Sequence, residues 1–179
     1  MVNHRLEGFP LALQVLDATG FVEADVREEL RAGKEPFARI MAARHEVPEG
    51  GGLVVRAIFE PAPLYKVMAK QGFVHHTEKL AEDDWRVWFY PDVMVLDVRE
   101  MEPPEPLAFT LAALETLPAG GTLVQVNVRV PQFLLPKLVD RGFAYEIREV
   151  APDRVHLFIR RPEAARTSPN LPIPGAVAS

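Results

Sequence analysis

The stretch Pro48-Glu49-Gly50-Gly51-Gly52-Leu53-Val54 returns seventy residues later as Pro118-Ala119-Gly120-Gly121-Thr122-Leu123-Val124. Working outward at the same offset, Glu35-Pro36 matches Glu105-Pro106, Pro61 matches Pro131, Leu64 matches Leu134, and Gly72-Phe73 matches Gly142-Phe143. Sixteen of the fifty-five pairs from Glu35/Glu105 to Phe89/Ile159 are identical without a gap. Further upstream, Asp25-Val26-Arg27-Glu28 returns as Asp97-Val98-Arg99-Glu100 at an offset of 72, so the first copy carries two extra residues before Glu35. The matches fall on glycine and proline, which punctuate structure, and a fixed period of this kind marks a duplication. Each copy is about 70 residues, near the lower size at which a domain folds alone.

Each copy reads as βαβαββ. In the second, Val93–Val98 is a near-continuous apolar run and predicts a strand. Glu105-Pro106 opens a helix with Leu107, Leu111 and Leu114 on one face. Leu123–Val128 is the next strand. Pro131 opens a second helix carrying Leu134, Leu135, Leu138 and Val139, and Gly142 stands where a helix C-terminal glycine belongs. Phe143, Tyr145 and Ile147 alternate on a third strand, and Val155, Leu157 and Ile159 on a fourth. The first copy follows, with strands near Phe21–Val26, Leu53–Ile58, Phe73–Lys79 and Trp85–Tyr90 and helices near Pro36–His45 and Ala62–Gln71. Crossovers make the early strands parallel and the last pair an antiparallel hairpin. The expected fold is α/β (α+β): two tandem βαβαββ two-layer sandwiches with mixed sheets, at residues 21–91 and 92–161. Residues 1–20 form an N-terminal extension in which Pro10–Ala18 suits a short helix. Residues 162–179 hold four prolines and almost no large apolar groups, and read as a mobile tail. Only Pro91 and Asp92 separate the copies, so intramolecular pairing of the two repeats is expected.

Composition removes several classes of function. The chain has 179 residues, 48% of them hydrophobic and 25% charged, an ordinary globular balance. No run approaches the roughly 18 apolar residues of a membrane span, and no signal peptide is evident at the N-terminus. The expected location is cytoplasmic. Twenty basic residues against 25 acidic leave a net charge of −5, which argues against nucleic acid as a partner. There is no cysteine, which excludes thiolate chemistry, disulfides and Cys-ligated metals. Arginine outnumbers lysine fifteen to five and proline reaches 17. That bias suits either a thermophilic source or a GC-rich genome.

Laid against known families, the second copy resembles the TusA/SirA-like sulfur carriers. Those domains begin Leu-Asp-x-x-Gly-Leu-x-Cys-Pro-x-Pro; here the stretch reads Leu96-Asp97-Val98-Arg99-Glu100-Met101-Glu102-Pro103-Pro104-Glu105-Pro106. Leu96, Asp97, Pro104 and Pro106 match, while Pro103 replaces the cysteine. The first copy keeps Asp25 and Pro36. The chain is more similar still to a cysteine-less cousin, domain-of-unknown-function family 2249. That family shows Asp-Val-Arg, then Glu-Pro-Phe, then Phe59-Glu60-Pro61-x-Pro63-Leu64-Tyr65, then Gly72-Phe73. The resemblance implies the carriers' two-layer fold, and it implies loss of persulfide transfer, because a thiolate at a helix N-terminus is what holds the sulfur. Relatives resemble modules joined to haemerythrin-like or cupin domains, which implies a setting in redox or metal metabolism.

Candidate residues fall in two groups. Asp25/Arg27 and Asp97/Arg99 stand two apart at a strand end, on one face, where they suit an ion pair that fixes the following loop. The alternative is that Arg27, Lys34 and Arg99 lend charge to an anion at the first helix N-terminus. Arg31, Lys34 and the amides after Pro36 favour copy one for this. The second group is Trp88, Tyr90 and Phe158. They lie on the sheet face away from the helices and predict a cover there, from the sister copy, the tail or a partner. His75 and His76 point to opposite faces of a strand and do not chelate one ion, so no metal and no cofactor are expected. Glu82-Asp83-Asp84 reads as a solvated turn. Two functions follow. One is a non-catalytic binding or adaptor protein for a protein partner or small ligand. The other is an enzyme or carrier that binds a sulfur or nitrogen oxyanion at the first helix of copy one.

Overall fold

The computed structural model describes residues 8–16 and 20–163. All of the expected tail except its first two residues lies outside that range, as do Asp17 and Ala18 of the expected N-terminal helix. A short helix, α1 (Leu11–Val15), precedes the repeats. Copy one then runs β1 (Phe21–Asp25), α2 (Arg27–Arg31), α3 (Phe37–Glu46), β2 (Gly52–Ala57), α4 (Ala62–Ala69), β3 (Phe73–Ala81) and β4 (Asp84–Pro91). Copy two runs β5 (Val93–Asp97), α5 (Glu105–Thr116), β6 (Thr122–Asn127), α6 (Leu134–Asp140), β7 (Ala144–Ala151) and β8 (Arg154–Arg160).

The two sheets have the same order, β1-β2-β4-β3 and β5-β6-β8-β7. β1 and β5 pair parallel with β2 and β6, and both remaining pairs in each sheet are antiparallel. These are the mixed-sheet, two-layer α+β sandwiches that the repeat predicts. The alternation of the strands assigns the faces. Leu53, Val55, Val87 and Phe89 turn to the helices in copy one, with Ile40, Leu64 and Met68 opposite them. Leu123, Leu157 and Ile159 do so in copy two, with Leu114, Leu134 and Leu138. Gly72 and Gly142 follow α4 and α6 at φ +84° and +77°, a left-handed turn that a residue with a Cβ resists.

Three expectations need correction. The segment of copy one that holds the two extra residues, expected to be a loop before the first helix, opens with a helical turn, α2. The second helix of copy two begins at Leu134, not at Pro131, with Phe133 at its N-cap. Val139, grouped with Leu134, Leu135 and Leu138 as an apolar position of that helix, is exposed, because Leu134 and Leu138, four apart, share the face toward the sheet and Val139 lies off it.

The sheet faces away from the helices are covered in part from within the chain. α1 lies between the two sheets. Leu13 and Leu16 pack with Phe9 of the extension, with Tyr90, Trp88 and Phe21 of copy one and with Phe158 of copy two. Val15 packs with Val93, Val95, Val124 and Val126. Five residues are too few to hold a helix in water. Burial of Leu13 to 0% exposure is what fixes it, worth about 2 kcal/mol.

Candidate functional site

The repeated Asp–Arg pair forms the same fork twice. Asp25 and Asp97 end the first strand of their sheets, and the chain turns back over each carboxylate. Asp25 accepts from the Arg27 backbone N–H (3.2 Å), from its Nε (2.9 Å) and from Nη2 (2.7 Å). Asp97 accepts from the Arg99 N–H (3.1 Å), Nε (2.9 Å) and Nη2 (2.7 Å). A bidentate fork of this kind is the strong form of the ion pair. The hydrogen bonds from Arg27 hold the Asp25 carboxyl down to about 2. Those from Arg99 hold Asp97 below the usual carboxylate range. Both guanidinia shift upward in return. Each fork fixes the exit of a strand toward its first helix.

Copy one builds further on its fork. Arg56, directly across from Asp25 on β2, donates Nη2 to both oxygens of Asp84 at 2.8 and 2.6 Å. Arg27 Nη1 lies 3.4 Å from the same Asp84. Asp25, Arg27, Asp84 and Arg56 thus form one chain of alternating charge at the ends of β1, β2 and β4. Beside it, α2 walls a groove of about 520 Å³ lined by Arg27, Arg31, Lys34 and Arg39 together with Asp25, Glu28 and Glu29. Arg39 pairs with Glu29, and Arg31 reaches Asp83 at 3.4 Å across the surface. The first amide after Pro36 is not open: Phe37 N–H donates to the Glu35 carboxylate at 3.1 Å. Copy two has Val126 and Arg154 where copy one has Arg56 and Asp84, so its fork stands alone.

The other candidates sit on the covered faces. Trp88 donates its indole N–H to Glu78 at 2.8 Å, and Arg86 Nε donates to the same carboxylate oxygen at 2.7 Å. Burial pushes the Glu78 carboxyl up, but these two bonds outweigh it and the net shift is downward. Phe9 packs edge-on against Trp88 at 5.6 Å. Tyr90 is 5% exposed. His75 stacks on Tyr65 at 3.8 Å on the helix side, while His76 meets Phe9 at 4.7 Å on the other. Among the described residues, no three His, Asp or Glu side chains gather as a metal site. No described helix is long and apolar enough to cross a membrane.

Both forks fall inside stretches that a single family model matches: residues 23–91 and again 95–161, described as an uncharacterized conserved protein, DUF2249. The chain belongs to the DUF2249 family. It carries two tandem copies, neither with a cysteine. No curated protein and no solved structure matches it.

Within this family member, the sequence missed Arg56 and Asp84, although one signal was present. Arg56 is the single charge in the run Leu53-Val54-Val55-Arg56-Ala57, and a charge in a buried strand demands a partner. It also missed an apolar rim. Where β6 ends and α5 and α6 begin, Phe109 is 52% exposed, Val128 43% and Phe133 87%. Phe37 and Phe59, at the matching end of copy one, are as exposed as Val128 and Phe109, at 45% and 53%, but nothing there matches Phe133.

Proposed function

We propose that the chain is a non-catalytic binding module that holds a protein partner at the rim of copy two. The observation that carries this reading is Phe133, 87% exposed, with Val128 and Phe109 also exposed toward the same end of the sheet. Scattered apolar residues are ordinary on a surface, but grouped large ones mark interaction sites. The repeated guanidinia, Arg27 and Arg99, are engaged by their own aspartates. Isolation of complexes from the source cells tests the reading. A partner held by the native chain and lost with Phe133→Asp supports it; an identical set of bound proteins with both chains contradicts it. A cytoplasmic setting, in a thermophilic source, fits this reading.

The copy-one groove favours a second reading, in which a small sulfur or nitrogen oxyanion binds between Lys34, Arg31 and Arg27. The mixed charge lining the groove makes such binding weak and sensitive to salt. Sulfate titration followed by amide NMR tests it. Shifts at Arg31–Phe37 that vanish in Lys34→Ala support the reading, and shifts confined to other regions count against it.

A further inference from the structure

The outer faces of the two sheets are furnished differently at matching places. In copy one a phenyl ring fills the space over β3 and β4: Phe9 lies 4.7 Å from His76 and 5.6 Å from Trp88. The same positions of copy two hold Glu146 and Phe158. There a cleft of about 340 Å³ stands open, floored by Phe158, Val93 and Leu16 and rimmed by Arg148 and Arg160. Its size falls in the range that accepts a small molecule.

Position for position, copy two exchanges Glu78 for Arg148 and Tyr90 for Arg160. A carboxylate and a phenol have become two guanidinia on one wall. Arg148 lies over the Phe158 ring, 4.2 Å from its centroid, and its Nε donates to Glu146 at 2.6 Å. Stacking and that bond fix its plane and leave its terminal N–H groups for other acceptors. Arg160 donates Nη1 to Glu49 of copy one at 2.8 Å. Both carboxylate partners are surface groups, the Glu146 side chain 62% and Glu49 84% exposed. Exposed pairs of this kind are weak, so a ligand carboxylate displaces them at little cost.

We infer that this cleft binds a small aromatic carboxylate, its ring against the edge of Phe158, as Phe9 lies edge-on to Trp88 in copy one, and its carboxylate between Arg148 and Arg160. The site is separate from the copy-one groove and from the Phe133 rim, and does not rest on either. The test is an amide NMR titration of the full chain with benzoate. Benzoate is expected to shift Thr122, Ala144–Arg148 and Phe158–Arg160. Acetate, charge without ring, and benzyl alcohol, ring without charge, are each expected to bind at least about tenfold more weakly. Arg148→Gln is expected to weaken benzoate about tenfold, and Ala144→Phe, which fills the cleft from an exposed position, to abolish binding. The spectrum of each variant reports its own folding. Benzoate shifts elsewhere or none at all, acetate binding as tightly as benzoate, or an affinity unchanged in either variant would overturn the inference.

Discussion

Three touching positions in the core set the two copies apart. Copy one has Ile40, Val55 and Ala57, at 3%, 0% and 1% exposure. Copy two has Thr110, Gln125 and Asn127 at the matching places, at 0%, 0% and 9%. The polar set is joined throughout. Thr110 Oγ1 donates to the Pro106 carbonyl at 2.6 Å, and Gln125 Nε2 donates to Thr110 Oγ1 at 2.6 Å. Asn127 Nδ2 donates to Gln125 Oε1 at 3.2 Å, and Asn127 Oδ1 accepts from the Val128 amide at 2.8 Å. The fold therefore tolerates opposite chemistry at the same site when every polar atom finds a partner. In copy two that chain also reaches from α5 to the loop after β6, and so orders the segment that leads to Phe133. Charge moved the other way. Copy one joins Arg56 and Asp84 to its fork, and copy two does not.

The largest effect should come from breaking this rule in copy one. Val55→Gln places an amide among Ile40 and Ala57, with no polar side chain to meet it. It should cost about 3 kcal/mol in urea unfolding. In copy two Gln125→Val strands the Asn127 amide and should cost about 2 kcal/mol. The triple change Thr110→Ile, Gln125→Val, Asn127→Ala, which converts copy two to the copy-one pattern, should cost less than that single change. A triple variant less stable than the sum of its singles would show that the copies are not interchangeable here.

Smaller effects sharpen the comparison of the forks. Arg27→Ala should cost more stability than Arg99→Ala in urea unfolding, because only Arg27 also meets Asp84, and both effects stay small because the pairs are partly exposed. NMR titration should find Asp25 moved from about 2 toward its ordinary 3.8 in Arg27→Ala. The sign follows from the depressed native value: the pair stabilises the fold above the unfolded pKa and loses that contribution as pH falls toward about 2. Last comes His156, buried on the outer face of copy two. Burial, then the nearby Arg154, holds its pKa below the ordinary value. The unfolded chain takes up that proton first, so stability should decline as pH falls below about 6.5. His156→Gln should flatten that part of the curve, and an unchanged slope would assign it to other groups.

The repeated Gly and Pro positions made the topology readable, because they punctuate both copies at one spacing. Alternation then placed Val87 and Phe89 in the core and Trp88 and Tyr90 on the opposite face. The helix α2 was not read from the sequence, and α1 only as a short helix somewhere over Pro10–Ala18. Each has five residues, too few for a 3.6-residue period to show, and tertiary packing selects them. The cover on Trp88 comes from Phe9 and α1, so an exposed-looking aromatic face in the repeat was sealed by a segment outside it. The Asp–Arg forks were legible from their i, i+2 spacing. Asp84 was not, because its partner Arg56 lies 28 residues earlier and meets it only through the β2–β4 pairing. Phe133 was hidden by the shifted start of α6, which places it on an N-cap rather than on a buried helical face.

The account rests on copy two, and not copy one, holding a partner at its rim. Site-specific photocrosslinking in the source cells tests this directly, with a benzoyl-phenylalanine at position 133 and, separately, at the matching position 63 of copy one. The account predicts a discrete crosslinked protein from position 133 and none from position 63. A crosslink from position 63 alone, or none from position 133, would contradict it.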